Sequence, residues 1–122
     1  MYWSSRRLHS GDEFRAVTRG GARSARSHVV VHLTLLTQGE EAPRVGFVVS
    51  KKIGNAVVRN RVTRRLREIV RPHLETLPAG SAIVLRALPG IEAQAFAELR
   101  EDVDSALASA SRKLARRQER SR

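Results

Sequence analysis

The chain has 122 residues and a formal net charge of +11, with 23 lysines and arginines against 12 acidic residues. A chain of this length forms one domain with a modest core and needs neither disulfides nor a structural metal. It contains no cysteine, which excludes disulfides and thiolate metal sites and is typical of a reducing compartment. Because a fold does not need so much positive charge, the composition favours a polyanionic partner, most often nucleic acid and less often an anionic membrane.

The apolar residues occur in short runs. The N-terminus, MYWSSRRLHSGDEF, has no apolar core of the length that a signal peptide needs. The strongly apolar runs, such as Val29–Val31 and Phe47–Val49, are far shorter than the roughly 20 residues that cross a bilayer. We therefore expect a soluble cytoplasmic protein that makes no membrane contact.

The N-terminal third predicts an arm, a helix and two strands. Residues 1–7 predict an irregular basic arm. Ser10 is a suitable N-cap for a short helix over Gly11–Arg19, whose first turn carries the acidic residues that a helix dipole favours. Ala22–Arg26 predicts a short edge strand, and the apolar residues of His28–Leu36 predict a longer one.

The remaining chain predicts two more strands and two long helices. We expect Arg44–Ser50 to form a strand that pairs antiparallel with the preceding one across a surface loop. Residues Ala56–Leu74 predict an amphipathic helix, Ser81–Leu88 a mostly apolar strand and Ile91–Arg116 the last helix. The apolar stripe of the first of these helices comprises Val58, Val62, Leu66, Ile69 and Val70.

This order of elements predicts an α+β fold with helices packed on one small sheet. We expect an α-β-β-β-α-β-α two-layer sandwich with a four-stranded sheet. Residues 1–122 then form a single domain, with flexible basic termini at about 1–7 and 117–122.

Positive charge is concentrated between Ser50 and Arg71, which include eight lysines or arginines and one acid, Glu68. On a helical wheel, the polar face opposite the apolar stripe carries Asn60, Arg64, Arg67 and Arg71. Arg61 and Arg65 flank this face, while the stem of Arg59 must extend along the apolar edge to reach water. Such a helix can contact several phosphates, and we favour this interpretation over a merely solvated basic helix.

No catalytic constellation is visible in the sequence. The histidines are His9, His28, His32 and His73. On one strand, His28 and His32 share a face but lie roughly 13 Å apart, too far to chelate one ion by themselves. We interpret the acids of Glu98–Asp104 as a solvated helix face in preference to a metal site. No GxSxG, HExxH, phosphate-loop or dinucleotide-binding motif occurs.

The segment VGFVVSKKIGNAVVRNR, residues 45–61, closely resembles the central signature of the bacterial ribonuclease P protein family. Arg64 and Arg67 continue that signature. The resemblance extends over most of the chain, since Arg7-Leu8 followed by Phe14 is similar to the family's N-terminal segment. Joined to VSKKIGNAV at fixed spacing, the Arg-Asn-Arg motif is highly specific.

The resemblance implies a function that the composition does not. The protein would be the RNA-binding subunit of ribonuclease P and assist a catalytic RNA in endonucleolytic removal of the 5′ leader from precursor tRNA. The catalytic groups would be in the RNA, with Mg²⁺ bound mainly by the RNA. No protein partner is predicted. The family also implies that the connection from the central strand through the basic helix to the last strand is a left-handed crossover, against the usual handedness rule.

The resemblance also implies two groups of site residues. The candidate contacts to the catalytic RNA are Lys51, Lys52, Arg59, Asn60, Arg61, Arg64, Arg65 and Arg67. The candidates for a cleft that holds the leader, between the first helix and the sheet face, are Phe14, His32 and Arg86. Thr18 and His32 stand where the family often has aromatic residues, and a packing role for Phe14 or His32 is as well supported as leader contact.

Two alternatives differ in class. The chain could be a stand-alone RNA-binding or ribosome-associated module that uses the same basic helix without a role in tRNA cleavage. It could instead be an independent nuclease, which the missing carboxylate and histidine constellation disfavours.

Overall fold

The computed structural model describes residues 2–36 and 41–120, and it has four α-helices and four β-strands in those ranges. The helices are α1 (Tyr2–Arg6), α2 (Gly11–Gly20), α3 (Ala56–Leu74) and α4 (Phe96–Arg120). The strands are β1 (Ala22–Arg26), β2 (Val29–Leu35), β3 (Arg44–Val48) and β4 (Ser81–Ala87). A 3₁₀ turn, Ile91–Ala93, precedes α4. The predicted α+β class and four-stranded sheet are confirmed.

The four strands form one sheet in the order β1-β2-β4-β3. The pairs β1–β2 and β2–β4 are antiparallel, whereas β3 and β4 are parallel. The predicted antiparallel pairing of β3 with β2 was therefore wrong. The reason is that α3 carries the chain back from the end of β3, so that β4 runs parallel to β3 and inserts between it and β2. The hand of this crossover stays a prediction.

The main core lies between one face of the sheet and helices α3 and α4. Leu66 of α3 and Leu99 of α4 are both fully buried there against Ile83 and Leu85 of the central strand β4. The predicted apolar stripe of α3 is confirmed, since four of its residues are buried and the fifth is half-buried: Val62, Leu66, Ile69, Val70 and Val58. The basic face of α3 is thereby held outward by the packing of its opposite side.

Helix α2 packs on the other face of the sheet, where fully buried Val17 joins a second apolar cluster with Leu8 and Val84. It adds a partial third layer that the predicted two-layer sandwich does not include. The Ser10 hydroxyl accepts a hydrogen bond from the Glu13 amide at 3.2 Å, which confirms the predicted N-cap. At its end, a Cβ on Gly21 would lie 2.5 Å from the Val17 carbonyl oxygen, so this turn into β1 requires glycine.

The helices at both ends of the described chain differ from the predicted ones. An irregular arm was the wrong expectation for Tyr2–Arg6, which forms α1. The last helix begins at Phe96, after the 3₁₀ turn, and continues to Arg120. Flexibility at the termini stays a prediction. No helix among the described residues is both long and apolar enough to span a membrane.

Candidate nucleic-acid interface

Local interactions fix the start of the basic helix α3. The Asn55 side chain caps it by accepting a hydrogen bond from the Val58 amide at 3.0 Å. In the preceding turn, Ile53 is buried in the core while Lys51 and Lys52 are exposed. The buried isoleucine anchors the turn and leaves both ammonium groups on the surface beside the first turn of α3.

The arginines of α3 have no ion-pair partner in the part of the chain that the structure describes. The exposed polar residues of this face are Asn60, Arg61, Arg64, Arg67 and Arg71. Several fixed and uncompensated guanidinium groups on one rigid surface favour the binding of a polyanion.

Arg61 and Arg65 also have a structural contact that the sequence did not predict. Each donates one hydrogen bond at 3.2 Å to a backbone carbonyl around the 3₁₀ turn, Arg61 to Glu92 and Arg65 to Gln94. These bonds hold α3 against the segment that leads into α4. Each guanidinium retains other N–H groups, because arginine has five donors.

An aromatic cluster lies beside the arginines of α3. The Trp3 ring meets the rings of Tyr2 and Phe47 edge to face, with centroids 5.0 and 6.0 Å apart. The Arg67 guanidinium carbon lies 5.6 Å from the Trp3 centroid, and that of Arg71 lies 4.3 Å from the Tyr2 centroid. These cation–π contacts restrain both arginines.

This cluster is the main part of the candidate site that was not predicted from the sequence. Arg71 was placed on the polar face of the helix but not among the RNA contacts. The sequence did contain an indication of the cluster. Tyr2 and Trp3 are two of the five aromatic residues of the chain, and both lie within the first three positions. Paired aromatic residues in an arm expected to be irregular indicate a packed segment.

A groove of about 420 Å³, here called the α1–α3 groove, lies between α1, β3 and the start of α3. Its lining includes three aromatic rings, three arginines and two smaller polar side chains: Trp3, Phe14, Phe47, Arg7, Arg59, Arg67, Asn60 and Thr63. The Arg59 Nε is buried and has no hydrogen-bond partner among the described residues. The structure thus brings the predicted RNA contacts Arg59, Asn60 and Arg67 to one concave surface together with Phe14.

The three residues predicted for a leader cleft share the sheet face that α2 partly covers. In the central strand β4, Val84 pairs with Gly46 of β3 on one side and with His32 of β2 on the other. Arg86 lies two residues after Val84 and therefore on the same face. The Phe14 ring lies directly on the backbone of Gly46, where a Cβ would be 2.4 Å from the ring. Phe14 is half-buried, His32 buried and Arg86 exposed, so Phe14 and Arg86 keep accessible surface on this face whereas His32 does not.

Burial, followed by the positive charges of Arg23 and Arg86, lowers the pKa of His32 below its ordinary value of 6.5. His32 is therefore neutral in the folded protein at neutral pH. As the pH falls through 6.5, the unfolded chain binds a proton that the folded protein resists, so the free energy of unfolding decreases. We expect this decrease to be steeper for the wild type than for His32→Gln in urea titrations between pH 7.5 and 5. Parallel pH profiles for the two proteins would contradict it.

The described residues form no group of three or more side chains of the kinds that ligate metal ions. His73 of α3 lies 2.6 Å from Asp104 of α4 through its Nε2, a contact that ties the two helices together. The His28 ring is 3.0 Å from the carbonyl oxygen of Pro89. Both histidines thus have structural partners.

Comparison with known proteins shows the family of this chain. The family model described as Ribonuclease P matches residues 4–111. The ribonuclease P protein component of Salinispora tropica is 44% identical, over 90% of this chain and 93% of that protein. That of Acidothermus cellulolyticus is 45% identical, over 88% of this chain and 89% of that protein.

Solved structures give the same result for the fold. The RNase P protein of Staphylococcus aureus superposes with a TM-score of 0.75 at 26% identity, covering 85% of this chain and 94% of that chain. The RNase P protein of Thermotoga maritima superposes with a TM-score of 0.69 at 27% identity, covering 88% and 96%. The basic helix on its sheet and the matched sequence together place this chain in the ribonuclease P protein family.

Proposed function

We propose that this chain is the RNA-binding protein subunit of ribonuclease P and that it assists a catalytic RNA in removing the 5′ leader from precursor tRNA. The observation that carries the proposal is the exposed row of α3 arginines, which form no ion pair with any described carboxylate, within a chain that belongs to the ribonuclease P protein family. A cytoplasmic location is part of the same proposal.

The protein binds and positions RNA, and the chemistry takes place on the RNA subunit. Magnesium bound mainly by the RNA would supply the activation of water and the stabilisation of the leaving oxygen. The role of this chain is then to bring positive charge close to two RNA strands.

Helix α3 and the preceding turn dock on the catalytic RNA. Exposed Lys51, Lys52 and Arg64 contact phosphates, while Arg67 is held over aromatic rings. Each neutralised phosphate releases counterions, so binding weakens as salt increases. We expect labelled catalytic RNA to bind the protein more tightly than an unrelated structured RNA of equal length. Equal affinity for both RNAs across the salt range would instead support a stand-alone RNA-binding module.

The leader strand lies on the sheet face that carries Phe14 and Arg86. Replacing Phe14 with alanine should reduce the preference for precursor over mature tRNA by roughly tenfold, since a stacked base contributes about 1–3 kcal/mol. The measurement is the ratio of the two dissociation constants in the assembled ribonucleoprotein. Val17→Ala is the matched control, because it removes packing from the same helix without removing an aromatic ring. An unchanged ratio with a lowered melting temperature would assign Phe14 to packing alone.

A further inference from the structure

The α1–α3 groove combines features of a nucleotide-binding site. Aromatic rings supply flat apolar surface for a base, and arginines supply charge for a phosphate. Its volume of about 420 Å³ lies within the range of small-molecule pockets. Arg59 lines the groove, and its Nε is buried without a hydrogen-bond partner in the described ranges. Asn60 and Thr63 add hydrogen-bonding groups to the same wall.

Trp3 has a special position on this surface. It lines the α1–α3 groove and also a second, more open depression of about 600 Å³ along Arg64 and Arg71 of α3. Its indole is half-buried and is supported by the Phe47 ring and the Arg67 guanidinium. A ring held in this way loses little conformational freedom when a base stacks on it. Trp3 also precedes the segment that the family model matches, which begins at residue 4.

We propose that the α1–α3 groove binds one unpaired nucleotide of the catalytic RNA, with its base stacked on Trp3 and its phosphate contacted by Arg59 and Arg67. This inference rests on the proposed function. The source of the nucleotide follows from the lining, because four of the lining side chains belong to α3, the helix that docks on the catalytic RNA: Arg59, Asn60, Thr63 and Arg67. The leader face extends instead across β4 and β2 to Arg86 and His32, neither of which lines the groove, although Phe14 belongs to both surfaces.

The experiment uses the fluorescence of Trp3, the single tryptophan of the chain. Catalytic RNA is added to the unmodified protein while binding is followed separately by the anisotropy of a label on the RNA. We expect Trp3 emission to be quenched in proportion to the bound fraction. Bound RNA with unchanged emission overturns the inference and leaves the proposed function intact, whereas no binding at all overturns both. Quenching by precursor tRNA alone, but not by the catalytic RNA, assigns the groove to the leader and also overturns it.

Variants test the same contact without fluorescence. Trp3→Leu keeps an apolar side chain but removes the ring, and we expect affinity for the catalytic RNA to decrease roughly tenfold. Trp3→Phe should recover most of that loss. Tyr2→Phe is the control for the integrity of α1, because it keeps the ring beneath Arg71 and removes only the hydroxyl that donates to Glu75 at 3.0 Å. Equal loss in Trp3→Leu and Trp3→Phe would show that ring stacking is not involved.

Discussion

Replacing Arg59 and Arg61 together with alanine is expected to weaken binding of the catalytic RNA by about 10- to 100-fold at low salt, with little loss of fold. Both side chains lie on the first turns of α3, and Arg59 lines the α1–α3 groove. The slope of log affinity against log salt should become shallower by about 1 to 2, because each lost phosphate contact contributes about 0.9. Labelled RNA titrated at several salt concentrations measures both quantities.

The control for this variant removes the same charge elsewhere. Arg112 and Arg116 are exposed on the C-terminal half of α4. Their double replacement with alanine should leave the salt slope close to that of the wild type. If the two double variants weaken binding equally, the contribution of Arg59 and Arg61 is only a matter of net charge, and docking through α3 is contradicted.

The second large effect is expected on stability. Leu66 is fully buried on the inner side of α3. Its replacement with alanine leaves a cavity between this helix and the sheet and should lower the free energy of unfolding by about 2–5 kcal/mol. The free energy of unfolding of a whole domain is only about 5–15 kcal/mol, so a large part of the stability would be lost. Urea denaturation gives the size of the change.

The matched control on the same helix is Val57→Ala, because Val57 is 76% exposed. Its effect on the urea midpoint should be small. At a temperature where the Leu66→Ala protein remains folded, the salt slope of RNA binding should equal that of the wild type. A changed slope would show that the two sides of α3 are not separable into a packing side and a binding side.

Local sequence patterns were sufficient to predict much of the fold. The helix Ala56–Leu74 has the bounds that its apolar stripe predicted. Ser10 caps α2, and Ala22–Arg26 is an edge strand, as expected. These features depend on side-chain periodicity and capping, which are encoded within a few residues.

The errors concern contacts between distant segments. The pairing of β3 with β4 depends on how α3 crosses the sheet, and neither strand's own sequence specifies its partner. Helix α1 also depends on a distant segment. It has only five residues and is stabilised by packing on Phe47, not by its own helix propensity. The second roles of Arg61 and Arg65 depend on carbonyl groups 29 to 31 residues away. The polar face of α3 was therefore predictable, but the groove beside it was not.

The most direct test of the central claim is the cleavage of precursor tRNA at low Mg²⁺ concentration, by the catalytic RNA with and without this protein. We expect faster release of the 5′ leader when the protein is added, a smaller increase with the Arg59 and Arg61 double variant, and no cleavage by the protein alone in Mg²⁺. An unchanged rate on adding the wild-type protein would contradict the account and support a stand-alone RNA-binding module. Cleavage by the protein without RNA would contradict it by identifying an independent nuclease.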